Sequence, residues 1–208
     1  MSGGGDFWLG PGPLVLASGS AIRRLLLESA GIPVLAKPVA LDEEAIANQL
    51  LAEKACPRKV ACALARAKGL EASRRWPDAI ILAADQTLET GGRLGMKPAN
   101  SGEARIQFLA MRGRTHHLHS AACLLHEGRI LWEGSATAEM TMRAFSDRFL
   151  DIYLARMGER VCQTVGAYEF EALGAHLFEK TEGDHATILG LPLQPLLASM
   201  RRLGLVLS

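Results

Sequence analysis

The chain has almost no excess charge of either sign: 23 Lys and Arg stand against 22 Asp and Glu, a formal net charge of +1. That balance removes the general electrostatic reason to expect nucleic acid as a partner, so any basic site must be local. No apolar run approaches the roughly 18 residues a membrane span needs, and no membrane partner is expected. Aromatic residues are sparse, and Trp8, Trp76 and Trp132 are scattered, so they build no stacking platform for single-stranded nucleic acid. Cys56, Cys62, Cys123 and Cys162 form no CxxC pair, and the start lacks the basic residues and apolar run of a signal peptide. Both features predict a reducing, cytoplasmic setting, with the thiols buried as small apolar groups.

What is present alternates between strand and helix patterns without internal repeats, which predicts an α/β class. Residues 1–13, MSGGGDFWLGPGP, are too rich in Gly and Pro for a regular element and predict a flexible tail, leaving 14–208 as a single domain. Leu14 to Ala17 is a short apolar run suited to a buried strand, and the stretch from Ala21 to Ala30 has apolar residues at helical spacing. Further helices are expected near 42–55, with Asp42 as cap, and near 57–76, 101–113, 146–157 and 193–203. Ala79 to Ala84 predicts a buried strand ending at Asp85. "THHLHSAACLL" and "RILWEGSATAEMTMRAF" alternate like two antiparallel strands joined at "HEG".

Four stretches could carry chemistry. In "LASGSAIRRLLLESAG" the hydroxyls of Ser18 and Ser20, helix-start N–H groups and the guanidiniums of Arg23 and Arg24 together would suit phosphate. The alternative is an ordinary helix start with solvated arginines. In "ILAADQTLETGGRLGMKP", Asp85 supplies a carboxylate and Lys97 a cation across a Gly-rich hairpin, and Asp42, Glu43 and Glu44 add carboxylates enough for a Mg or Mn type of site. In "THHLH", His117 and His119 share one strand face and His116 takes the other, so at most two imidazoles could join a zinc site, and a structural role is the simpler reading. The glycines of "VGAYEFEALGAHLFEKTEGDHATILGLPL" break it into short strand and loop pieces, with Glu171 as a candidate specificity contact.

In order along the chain, "LASGSAIRRLLLESAGI", "LDEE", "AADQTL" with "GMKP", "GRTHHLHSAACLL", "GAYEFEALGAHLFEKTEGD" and "ILGLPL" resemble the Maf family of nucleoside triphosphate pyrophosphatases. The resemblance covers roughly residues 14 to 205. It implies a two-lobed α/β fold similar to the inosine triphosphate pyrophosphatases, with an elongated curved mixed sheet and a central nucleotide cleft. The implied reaction is hydrolysis of the α–β phosphate bond to monophosphate and pyrophosphate, with a divalent metal cation, Mg, Mn or Co. By position, Ser18, Ser20 and Arg23 would hold phosphates, Lys68 and Lys97 would add positive charge, and Glu43 and Asp85 would coordinate metal or activate water. A homodimer is expected from the family alone.

The family divides by substrate. One branch, acting on dTTP, UTP and modified pyrimidine nucleotides, carries Arg, Thr and Gln at three informative positions, and the 7-methyl-GTP branch carries Trp, Gln and Glu. Here they are Ile22, Gln86 and Glu171. Two match the 7-methyl-GTP branch and none the pyrimidine branch, while Ile22, Ala21 in place of Pro and Met96 in place of Gly depart from the pattern. A carboxylate such as Glu171 can accept from both N1–H and the 2-amino group of guanine, whereas uracil offers one donor. The expected substrate is therefore 7-methyl-GTP. The alternatives are a pyrimidine-branch enzyme, a nucleotide-binding regulator of cell division with little turnover, and a zinc hydrolase centred on the His cluster.

Overall fold

A computed structural model describes residues 7–208. It is built on one mixed seven-stranded sheet with strand order β2-β1-β3-β5-β6-β7, and β4 pairs with β3. The strands are β1 (Leu14–Leu16), β2 (Val34–Ala36), β3 (Ile81–Thr90), β4 (Arg93–Gly95), β5 (Thr115–His126), β6 (Arg129–Met142) and β7 (Phe178–Glu182). β2, β1 and β3 run parallel, and the remaining pairs are antiparallel. The helices are α1 (Ala21–Ser29), α2 (Glu43–Ala52), α3 (Pro57–Arg75), α4 (Ser101–Met111), α5 (Asp147–Met157), α6 (His185–Ile188) and α7 (Leu193–Arg202). None is long and apolar enough to cross a membrane.

Local sequence explains most of these elements. Ser20, Asp42, Asn100, Ser146 and Asp184 each accept a backbone N–H from the first turn of the helix they precede. Pro57 opens α3, where its missing N–H costs nothing. Gly91 and Gly92, at φ +57° and +77°, form the two-residue loop between β3 and β4, a conformation that suits the strand twist and that glycine adopts without strain.

The core is divided along β3. Toward its start, Leu14, Leu16, Leu27, Leu82, Leu196 and Met200 fill one face, and Ala61, Ala65, Ile81, Ala83, Cys123 and Leu125 fill the other. Toward its end, Leu88, Phe108, Leu118, Met140, Leu150 and Tyr153 form a separate cluster under α4 and α5. Asp85 and Gln86 lie between the two, which is where a cleft can open.

Three expectations need correction. The strand does not stop at Asp85: it continues to Thr90, because β5 pairs with it from Ile81 through Glu89. The predicted tail splits. Residues 1–6 fall outside the described residues, whereas Trp8 is buried, bridges to Val206 and packs in the first cluster. Nor are the thiols uniformly buried: Cys123 is, but Cys56 and Cys62 are exposed.

Candidate active site

β1 pairs with β3 only as far as Leu16 opposite Leu82, and β4 joins β3 only from Leu88 onward. Between them, residues 83–87 have no strand on that side. The chain leaving β1 turns there through Ser18, Gly19 and Ser20 into α1. A cavity of about 870 Å³ opens at this gap.

The ten residues that the family resemblance singles out all line it: Ser18, Ser20, Ile22 and Arg23 from the β1–α1 junction; Glu43 and Lys68 from α2 and α3; Asp85 and Gln86 from β3; Lys97 beyond β4; and Glu171. Alternation along β3 sends Asp85 toward α3 and Gln86 to the opposite face. On α3, Lys68 continues the stripe of Ala61 and Ala65, so helical spacing aims it at Asp85. Its Nζ is 2.5 Å from Asp85 Oδ2 and 2.9 Å from Glu43 Oε1. The second Asp85 oxygen, Oδ1, accepts the backbone N–H of Gln86 at 2.7 Å. Two carboxylates and one ammonium thus form a bridged trio on the cavity wall, while Lys97 and Glu171 are exposed to its opening.

Asp42 does not join them. Its carboxylate caps α2 by accepting the Ala45 N–H at 2.9 Å, leaving Glu43 and Asp85 as the metal candidates, with Glu44 on the cavity lining. Among the described residues no group of three or more His, Cys, Asp and Glu is placed to hold a metal ion. A pair of hard carboxylate oxygens is nevertheless the donor set that Mg or Mn takes when waters and substrate phosphates complete the shell. The residues fit such a cation, provided that Lys68 gives up its place between them.

The two arginines part company. Arg24 lies on the exposed side of α1 and pairs with Glu28 at 2.7 Å, so it is a solvated helix residue rather than part of an anion site. Arg23 reaches inward: Nη1 donates to Ser18 Oγ at 3.1 Å and to Ala84 O at 2.8 Å, and Nε donates to Gly190 O at 2.8 Å. It therefore satisfies a carbonyl that the gap in the sheet leaves without a strand partner. Burial pulls its pKa below the usual guanidinium value, against the opposing pull of Asp85 and Glu43. With Nε and Nη1 committed, Nη2 is the guanidinium nitrogen that remains.

Gln86 is held as firmly. Its Nε2 lies 3.1 Å from Ser120 Oγ, 3.2 Å from Thr187 O and 3.0 Å from Ile188 O. Ser120 and the 187–190 carbonyls were missed by sequence reasoning. A signal existed in "GDHATILG", where Asp and Thr three apart mark a helix cap, but nothing local says which side chains that turn would meet.

The His cluster stands apart from the cavity. His116 is buried, with Nε2 2.8 Å from the Tyr168 hydroxyl. On the other face, His119 contacts Glu89 and Thr137 at 2.9 Å each, and His117 stacks beside it. His119 thus ties β3 to β6 across β5, His116 keeps Nδ1 without a hydrogen-bond partner, and among the described residues the zinc reading has no ligand group to rest on.

A family model described as "Maf-like protein" matches residues 13–203. Among curated relatives, the chain is 44% identical over 193 residues to a 7-methyl-GTP pyrophosphatase of Rhizobium etli, covering 93% of this chain and 97% of the relative. It is 46% identical over 193 residues, with the same coverages, to a 7-methyl-GTP pyrophosphatase of Mesorhizobium japonicum. It is 45% identical over 194 residues to a nucleoside triphosphate pyrophosphatase of Nitrobacter winogradskyi, covering 93% of this chain and 95% of that one.

Proposed function

The chain belongs to the Maf family, and from that premise we propose that it is a metal-dependent nucleoside triphosphate pyrophosphatase acting on 7-methyl-GTP. Water cleaves the α–β anhydride, and the products are a nucleoside monophosphate and pyrophosphate. The observation that carries this reading is the trio of Glu43, Lys68 and Asp85 opening onto the same cavity as the Ser18–Arg23 turn.

The charges divide the work. Ser18, Ser20 and the free face of Arg23 receive phosphate oxygens at the start of α1, where helix N–H groups favour anions. Asp85, whose carboxylate borders the cavity, takes the proton that water loses as its oxygen bonds to phosphorus. Lys68 and Lys97 offset negative charge that gathers on the phosphate oxygens as the anhydride breaks. A divalent cation held by Glu43 and Asp85 supplies further charge neutralisation and a more acidic water. Gln86 and Glu171 select the base; Ile22 offers it an apolar contact in place of an aromatic one, without a cation–π contribution of about 0.5–2 kcal/mol. The family's homodimer and a cytoplasmic location belong to the same proposal.

The test is pyrophosphate release from 7-methyl-GTP, GTP, dTTP, UTP and 5-methyl-UTP with Mg or Mn, and again with chelator. Metal-dependent release led by 7-methyl-GTP is the expected result. Release led by a pyrimidine keeps the enzyme and overturns the substrate; no release at all favours a nucleotide-binding regulator.

A further inference from the structure

The segment 184–190 meets the cavity with its backbone. Asp184 caps α6: its Oδ1 accepts the Thr187 N–H at 2.9 Å, and its Oδ2 accepts the Thr187 hydroxyl. The turn closes at Gly190, φ +98°, whose N–H donates back to Thr187 O at 3.1 Å. A side chain at 190 would be strained, and its Cβ would lie 3.2 Å from Arg23 Nε. Three carbonyls of this turn face outward to cavity-lining side chains: those of Thr187 and Ile188 to Gln86, and that of Gly190 to Arg23. Ser120, fully buried, donates to Thr187 O at 2.7 Å and so fixes the same carbonyl from beneath.

An amide nitrogen donates and its oxygen accepts. With Nε2 among two carbonyls and a hydroxyl whose own hydrogen is committed to Thr187 O, a flipped Gln86 would set its oxygen against acceptors alone. The orientation is fixed by the network, and Oε1 is the polar atom Gln86 has left for a ligand. Resting on the pyrophosphatase reading above, we infer that Asp184 is a positioning residue: its cap holds the turn that orients Arg23 and presents Gln86 to the nucleotide as a hydrogen-bond acceptor only. Together with the Glu171 carboxylate on the lining of the same cavity, such a group favours a base edge with adjacent donors, the N1–H and 2-amino group of a guanine. It opposes uracil, whose carbonyls flank a single N–H.

The experiment compares kcat and KM for 7-methyl-GTP and UTP in the wild-type protein, Asp184→Ala and Asp184→Asn, with thermal unfolding of each. The 7-methyl-GTP to UTP ratio of kcat/KM is expected to fall about tenfold in Asp184→Ala, the size of one hydrogen bond misplaced. Asp184→Asn, which still caps, is expected to restore it. A folded Asp184→Ala with an unchanged ratio, or with both nucleotides slowed equally, overturns the inference, because a merely structural cap lowers stability without changing the choice of base. Thr187→Val removes only the hydroxyl half of the cap and predicts a smaller fall, so the inference is still tested if Asp184→Ala does not fold. A wild-type protein that prefers UTP overturns the substrate reading, while the shift of the ratio between wild type and variants still reports on Asp184.

Discussion

Lys68 Nζ lies 2.5 Å from Asp85 Oδ2, with the two side chains only 12% and 11% exposed. One element contributes the charge and another its counter-charge, so neither is stranded in a half-dry wall. Asp85→Asn keeps the shape and leaves Lys68 its second partner, Glu43. The fold is therefore expected to survive, by circular dichroism, while kcat for pyrophosphate release falls by about 10²–10⁴, the range for loss of a positioned proton acceptor.

Arg23 holds the molecule together as well as lining the cavity. Arg23→Ala leaves Ala84 O and Gly190 O without the donors they have now. At about 1–3 kcal/mol for each of these two part-buried carbonyls left unpaired, urea unfolding is expected to show a loss of about 2–6 kcal/mol together with reduced kcat/KM. A variant as stable as the parent would show that those two bonds contribute nothing.

His116 gives the fold an acid limit. Burial, assisted by neighbouring His117, pushes its pKa down to about 4. Since the unfolded chain takes the proton near the ordinary imidazole value of about 6.5, stability is full above that pH and declines as pH falls toward 4. The decline is on the order of 3 kcal/mol. His116→Gln, which does not titrate there, is expected to flatten the stability profile between those two pH values.

The thiols differ in reach. Cys56 and Cys62 are exposed, whereas Cys123 is buried and its pKa is pushed up to about 12 by burial and by nearby Glu133. A maleimide added to the native protein is expected to label Cys56 and Cys62 and to spare Cys123 until denaturant is added. Mass spectrometry of the digested protein reads this directly.

Periodicity in the sequence revealed the elements whose partners are near in the chain: the β5–β6 hairpin, the helices α1 to α5 and α7, and the Gly-rich hairpin at Gly91–Gly92, while α6 was read as strand and loop. It placed the end of β3 wrongly because Gln86, Thr87 and Glu89 look polar, and only pairing with β5 makes them strand. Part of the candidate site was legible as residue types, since phosphate chemistry needs cations, hydroxyls and carboxylates, but Lys68, Ile22 and Gln86 entered only through the family resemblance. What each of them touches was not legible. Arg23 meets carbonyls 61 and 167 positions away, Gln86 meets others more than 100 positions on, and the carboxylate of Asp42 is spent on a cap that local spacing had already announced.

Trp8, Leu14, Leu16 and Leu27 share one cluster with Leu191, Leu196, Met200 and Val206. The β1–α1 turn is thus steadied by α7 and its flanking residues, which synthesis adds long after β1 and α1. Until residues 190–206 emerge, the nascent chain has β1 and α1 without the apolar layer that seats them, and Arg23 without the Gly190 carbonyl. Domains form as units during synthesis, and here the unit closes only once that layer has been made, so a chain stalled or truncated before it would display the candidate site residues without the pocket that gathers them.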